Sequence, residues 1–186
     1  TAGGGAGAAA AAVPLAAGAA GQGAGRQGGG RGGGGATTFV VVDLGAKTSR
    51  RIATASPTAL TMSGDGSAIA WYDRTAETYT LNMSPTLGGP VATLRAGRER
   101  IDAPALSPDG KLVAYQYMGG VGSSTDWEIY VSDAAGAHRR ITRDIQHDLL
   151  PRFLTSTTLL DMIGEPRHRR SYLYDVASGA RTRIFA

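Results

Sequence analysis

Residues 106–115 read LSPDGKLVAY. Pro108 presets its own backbone angle and Gly110 can enter positive φ without steric cost, so Ser107-Pro108-Asp109-Gly110 suits a tight reversal. The alternation that follows, from Lys111 to Tyr115, is that of a strand with one packed face. The same pattern stands about 44 residues earlier in TALTMSGDGSAIAWYD (58–73), where Ser63, Asp65 and Gly66 take the turn positions and Gly64 replaces Pro. A third copy, LLPRFLTSTTLLDMIG (149–164), follows about 48 residues after the second, with Thr155-Ser156-Thr157-Thr158 in place of the turn.

A second element recurs behind these. TFVVVDLGAKTSRRI, WEIYVSDAAGAHRRIT and RSYLYDVASGARTRIF each show a strand, an Asp, a turn with small residues, then an Arg-rich strand. Asp43, Asp133 and Asp175 hold the shared position. Asn82 is assigned to it in TYTLNMSPTLGGPVATL, with a longer turn. A period of this length, with strands and turns and no sustained helical spacing, predicts all-β architecture in propeller blades of four antiparallel strands. The blades are expected near 57–95, 102–142 and 148–185, with a partial blade at 37–53.

Composition narrows the rest. The 186-residue chain is 42% hydrophobic and 18% charged, as suits a folded domain, and lacks an apolar run long enough to span a bilayer, so no membrane insertion is expected. It has no cysteine, which excludes disulfides and thiolate chemistry. Residues 1–36 are nearly all Gly and Ala, with nothing to offset the entropy of ordering them. They read as a flexible linker, a loop between strands, or a signal-peptide remnant. The chain opens at Thr1 and closes just after a strand-like run, and about three and a half blades leave a propeller open. It therefore reads as a fragment of a longer protein whose other parts supply the remaining blades.

The blade from Ala103 to Thr142 resembles the repeat of TolB-type β-propellers. Ser107, Pro108, Asp109 and Gly110 meet its turn, and Ile129, Tyr130, Val131, Asp133, Gly136, Arg140, Ile141 and Thr142 meet its second half. The resemblance covers about residues 37–186 and implies a periplasmic or secreted bacterial protein. Such repeats serve a cell-envelope component and also form accessory domains of secreted serine peptidases, tricorn-like proteases and amidohydrolases. The turn residues Ser63, Asp65, Gly66, Ser107, Pro108, Asp109, Gly110, Asp43, Asp133 and Asp175 are expected to be structural.

No catalytic signature stands in the sequence: no nucleophile elbow, no zinc-binding helix and no phosphate loop. His147, Asp148 and a serine could form a triad, but no spacing favours it. Asp102, Asp126 and Glu128 could hold a hard cation, but no ordered ligand loop accompanies them. No cofactor or metal is expected. The arginines at 50–51, 139–140, 181 and 183 fall on outermost strands, where charge discourages edge pairing. Spread around a rim, they make no continuous nucleic-acid footprint, so nucleic acid is not an expected partner.

Binding groups favour loops on a rigid scaffold. The connections at 96–102, 118–128, 143–148 and 164–170 are longer than the tight turns of the opposite face. A protein or peptide partner is therefore expected at Arg100, Asp102, Asp126, Trp127, Glu128, Arg143, His147, Asp148, His168 and Arg170, with Trp127 either an exposed anchor or packed between blades.

Overall fold

The computed structural model describes residues 38–52, 57–119, 126–143, 145–164 and 168–184. The Gly/Ala-rich segment 1–36 lies outside them. The described residues form strands and turns only. A two-stranded sheet pairs β1 (Phe39–Asp43) with β2 (Thr48–Ile52). Three antiparallel four-stranded sheets follow. The first holds β3 (Pro57–Met62), β4 (Ala68–Arg74), β5 (Tyr79–Pro85) and β6 (Ala92–Gly97). The second holds β7 (Arg100–Leu106), β8 (Leu112–Met118), β9 (Glu128–Asp133) and β10 (His138–Arg140). The third holds β11 (Asp148–Phe153), β12 (Thr158–Ile163), β13 (Arg170–Asp175) and β14 (Arg181–Arg183). Each sheet runs in sequence order, and β3, β7 and β11 stand side by side as the innermost strands.

The blades stack face on face, so their middle strands are apolar on both sides. In β8, Val113, Tyr115 and Tyr117 pack toward the first blade against Tyr72, Leu81 and Leu94, while Ala114 faces the third blade with Leu159 and Tyr174. In β4, Ile69 and Trp71 pack on Phe39, Val41 and Ile52 of the two-stranded sheet. This double burial corrects the single packed face expected at residues 111–115: Val113 and Tyr115 pack on one side of β8 and Ala114 on the other.

The repeated turn is built by its serine and aspartate. The Ser107 hydroxyl donates to Asp109 Oδ1 at 2.7 Å and accepts the Leu112 N–H at 3.0 Å. Ser63 does the same with Asp65 at 2.7 Å and the Ala68 N–H at 3.0 Å. These bonds favour the ionised carboxylates. Asp65 sits below the usual carboxylate range chiefly through the Ser67 N–H, and Asp109 chiefly through Ser107. In the third copy Thr155 Oγ1 alone accepts the N–H groups of Thr157 and Thr158, at 3.2 and 3.0 Å. Successive turns touch: Asp65 N–H donates to the Pro108 carbonyl at 2.9 Å. Gly110, at φ +66°, leaves no room for a Cβ, which would sit 2.6 Å from Ser67 Oγ. Gly110→Ala is expected to lower stability by about 1–3 kcal/mol, measured by urea unfolding.

Asp43, Asp133 and Asp175 each accept N–H groups of their own turns through Oδ1. Asn82 does not share that place. Leu112 pairs with Asp133, and the matching Ala68 pairs with Pro85, so Pro85 stands where Asp stands elsewhere. Asn82 lies inside β5 and donates to Asp73 Oδ2 at 2.9 Å.

Two features had no letter pattern to announce them. Each innermost strand of the four-stranded sheets breaks register once, at Thr58/Leu60, Asp102/Ala105 and Leu149/Arg152. At each break one non-glycine residue has positive φ: Ala59 (47°), Ala103 (46°) and Leu150 (55°). These are β-bulges that bend the strand. The second feature is a set of outer-strand arginines that reach the next sheet. Arg50 of β2 donates to the Pro85 carbonyl at 2.6 Å and to Ser84 Oγ at 3.0 Å. Arg95 of β6 lies 3.6 Å over the Tyr117 ring and donates to the Tyr115 hydroxyl at 3.4 Å. Arg139 of β10 donates to the Ala177 carbonyl.

Candidate binding face

The connections β4–β5, β6–β7, β8–β9, β10–β11 and β12–β13 emerge on one face. Residues 120–125, 144 and 165–167 of this expected face lie outside the described residues. The β6–β7 connection is not the long loop the sequence suggested. Only Arg98 and Glu99 separate the strands, because β7 pairs with β8 from Arg100 onward. Arg100 and Asp102 are therefore strand residues.

Four of the expected residues come together at the surface. The Arg100 guanidinium lies 5.2 Å from the Trp127 ring centre. The Trp127 backbone N–H donates to His147 Nδ1 at 3.1 Å, so that nitrogen carries no proton and leaves Nε2 as the ring's donor when it is neutral. Asp126 Oδ1 lies 3.8 Å from the same Nδ1, too far for a hydrogen bond. Trp127 is half-buried, and its carbonyl accepts the Asp148 N–H at 2.8 Å. The side chains of Asp126 and His147 are each about one-third exposed (31% and 32%), so this patch combines an aromatic face, an arginine, a carboxylate and an imidazole within reach of solvent.

The others are placed differently. Asp102 is exposed and accepts the Tyr72 hydroxyl at 3.2 Å and the Ala103 N–H at 2.7 Å. Burial, reinforced by Asp102, pushes the Tyr72 hydroxyl up to about 12. Glu128 and Asp148 open strands β9 and β11 and are buried at 3% and 0% exposure, so neither can touch a partner directly. Glu128 is held by the Arg140 fork, through both Nε and Nη2, and accepts the Thr142 hydroxyl at 3.1 Å. Arg140 Nε also donates to the Thr142 carbonyl at 2.7 Å. The Asp148 carboxyl faces that of Asp161, whose Oδ1 accepts the Leu149 N–H at 3.0 Å. Burial, with the Asp161 and Glu128 charges added, pushes Asp148 up to about 8, which favours its neutral form near pH 7. Arg143 lies in a cleft at the outer rim. His168 and Arg170 are exposed ahead of and at the start of β13 and take no part in these contacts.

Arg140 and Thr142 were read only as repeat positions, and the buried Asp161 and Gln116 were not singled out at all. Gln116 is buried and accepts the Leu150 N–H at 3.0 Å, pinning the third blade's bulge to the second blade. Asp161 carried a signal: a carboxylate between Leu160 and Met162 in an apolar strand asks for a buried partner. Among the described residues, no group of three or more His, Cys, Asp or Glu side chains could hold a metal ion.

Stacked four-stranded antiparallel sheets, tied at Ser-x-Asp-Gly turns, are matched by solved structures. TolB from Acinetobacter baumannii is 19% identical, with a TM-score of 0.58 over 80% of this chain and 37% of that one. The fold is that of a TolB-like β-propeller. The β-propeller domain of the Trilobed protease from Pyrococcus furiosus matches 69% of this chain and 43% of that one, at 16% identity and TM-score 0.54. The tricorn protease matches 77% of this chain and 16% of that one, at 14% identity and TM-score 0.59. The chain spans less than half the length of each of these three structures. No protein-family model and no curated protein sequence matches the chain.

Proposed function

We propose that this TolB-like propeller is a non-catalytic scaffold that binds a protein or peptide partner in the bacterial periplasm or outside the cell. The observation carrying this reading is the surface patch of Arg100, Asp126, Trp127 and His147. An aromatic plate beside a guanidinium, a carboxylate and an imidazole N–H offers an anchor with directional polar contacts around it. Glu128–Arg140 and the Asp148–Asp161 pair lie beneath it and hold its strands in place. The resemblance of its repeats to those of envelope proteins supports the compartment.

The test is capture from a periplasmic extract on the immobilised protein, followed by calorimetry with each captured protein in purified form. Trp127→Ala is expected to weaken a true partner by about 2 kcal/mol, roughly thirtyfold, with the fold intact by circular dichroism. A partner bound equally by the variant would sink the assignment to this patch.

A second reading is favoured by the likeness to propellers that occur in proteases. In it the same face orients substrate for a catalytic domain elsewhere in a longer chain. The two readings part on the captured molecule: a stable partner protein for the first, a peptide turned over only when a hydrolase domain is attached for the second.

A further inference from the structure

Between the outer strands of the second and third blades lies an open cleft of about 410 Å³, lined by Arg139, Arg140, Ile141, Arg143, Tyr174, Ser178, Gly179 and Arg181. Four of the lining residues are arginines. Glu128 neutralises Arg140 from the interior side. Asp175, whose Oδ1 is taken up by Ser178, acts on Arg139 from the rim. Arg139 is oriented by the Ala177 carbonyl, and Arg181 lies 4.7 Å from the Tyr172 ring centre. Arg143 is exposed and, among the described residues, donates no hydrogen bond. The cleft thus keeps an excess of positive charge on groups already held in position. Both walls end in strands that pair on one side only, β10 with β9 and β14 with β13, so each leaves a free strand edge at the rim beside the cleft.

We propose that this rim cleft is a second binding site, sharing no residue with the Arg100–Asp126–Trp127–His147 patch, for an extended carboxylate-rich peptide segment. Planar guanidinium forks suit carboxylates in pairs. Strand edges suit an extended backbone, which adds main-chain hydrogen bonds while alternate side chains reach the arginines. A lone oxyanion would use one or two forks and none of the strand edges. None of its residues belongs to the Trp127 patch, so the site survives the failure of that reading.

The test is fluorescence anisotropy of a labelled hexaglutamate peptide against the whole chain, with hexaglutamine, inorganic phosphate and a single-stranded oligonucleotide of equal charge as comparisons. Hexaglutamate is expected to bind and hexaglutamine not. Arg143→Glu is expected to weaken binding by more than about tenfold, the scale of one charge-assisted contact. Arg183→Glu makes the same charge change on β14 outside the cleft lining and is expected to have a much smaller effect. Equal losses in the two variants would reduce the effect to net charge and overturn the site. Absence of hexaglutamate binding, full displacement by phosphate at equal charge concentration, or tighter binding of the oligonucleotide would each overturn the ligand class.

Discussion

Asp148→Asn is expected to stabilise the protein by about 2–4 kcal/mol at pH 8 and to flatten its pH dependence. The wild-type carboxyl is raised to about 8 in the folded state, from about 3.9 in an unfolded chain. The folded state therefore holds a proton that the unfolded state releases. The contribution of Asp148 to stability is greatest below pH 4, falls as pH rises toward 8, and is level beyond. Asparagine keeps the shape and neutrality of the protonated carboxyl beside Asp161 and cannot ionise, so it removes the proton uptake. Urea unfolding of both proteins between pH 5 and pH 9 checks this. Parallel curves would show that Asp148 is ionised in the native state.

The neighbouring pair predicts the opposite sign. Glu128→Ala leaves the Arg140 guanidinium half-buried without its carboxylate and strips the Thr142 hydroxyl of its acceptor. The expected cost is about 3–5 kcal/mol. Glu128→Gln keeps the acceptor oxygen but not the charge and should cost less. Glu128 also acts on Asp148 through its charge, so removing it should draw the Asp148 transition to lower pH. Calorimetric melting of both variants, with the pH series repeated in Glu128→Gln, separates lost pairing from altered titration.

The fold was legible because its turns are chemical. Ser107, Asp109 and Gly110 form a closed set of hydrogen bonds and one positive φ, and those demands write themselves into three letters. The bulges at Ala59, Ala103 and Leu150 write nothing, since alanine and leucine enter the left-handed region only under tertiary constraint. Asn82 was misplaced for a related reason. The turn after β5 runs through six residues, Thr86 to Val91, and the misaligned register shifted the apparent Asp position by three. For the site, loop position was readable but depth was not. Asp126 and Glu128 are two residues apart and equally acidic, yet one meets solvent and the other meets Arg140, 12 positions along the chain. Only the pairing of β9 with β10 brings that arginine across.

The arginine contacts from Arg50, Arg95 and Arg139 all run forward, from the outer strand of one sheet to the sheet that follows it. Each sheet thus carries the clasp for its successor, much as each link of a bracelet carries its own catch. Such a clasp asks of the following sheet only a carbonyl or an aromatic ring within an arginine's reach. The same directionality makes the seams separable. Cutting one clasp loosens one junction and leaves the others as they were.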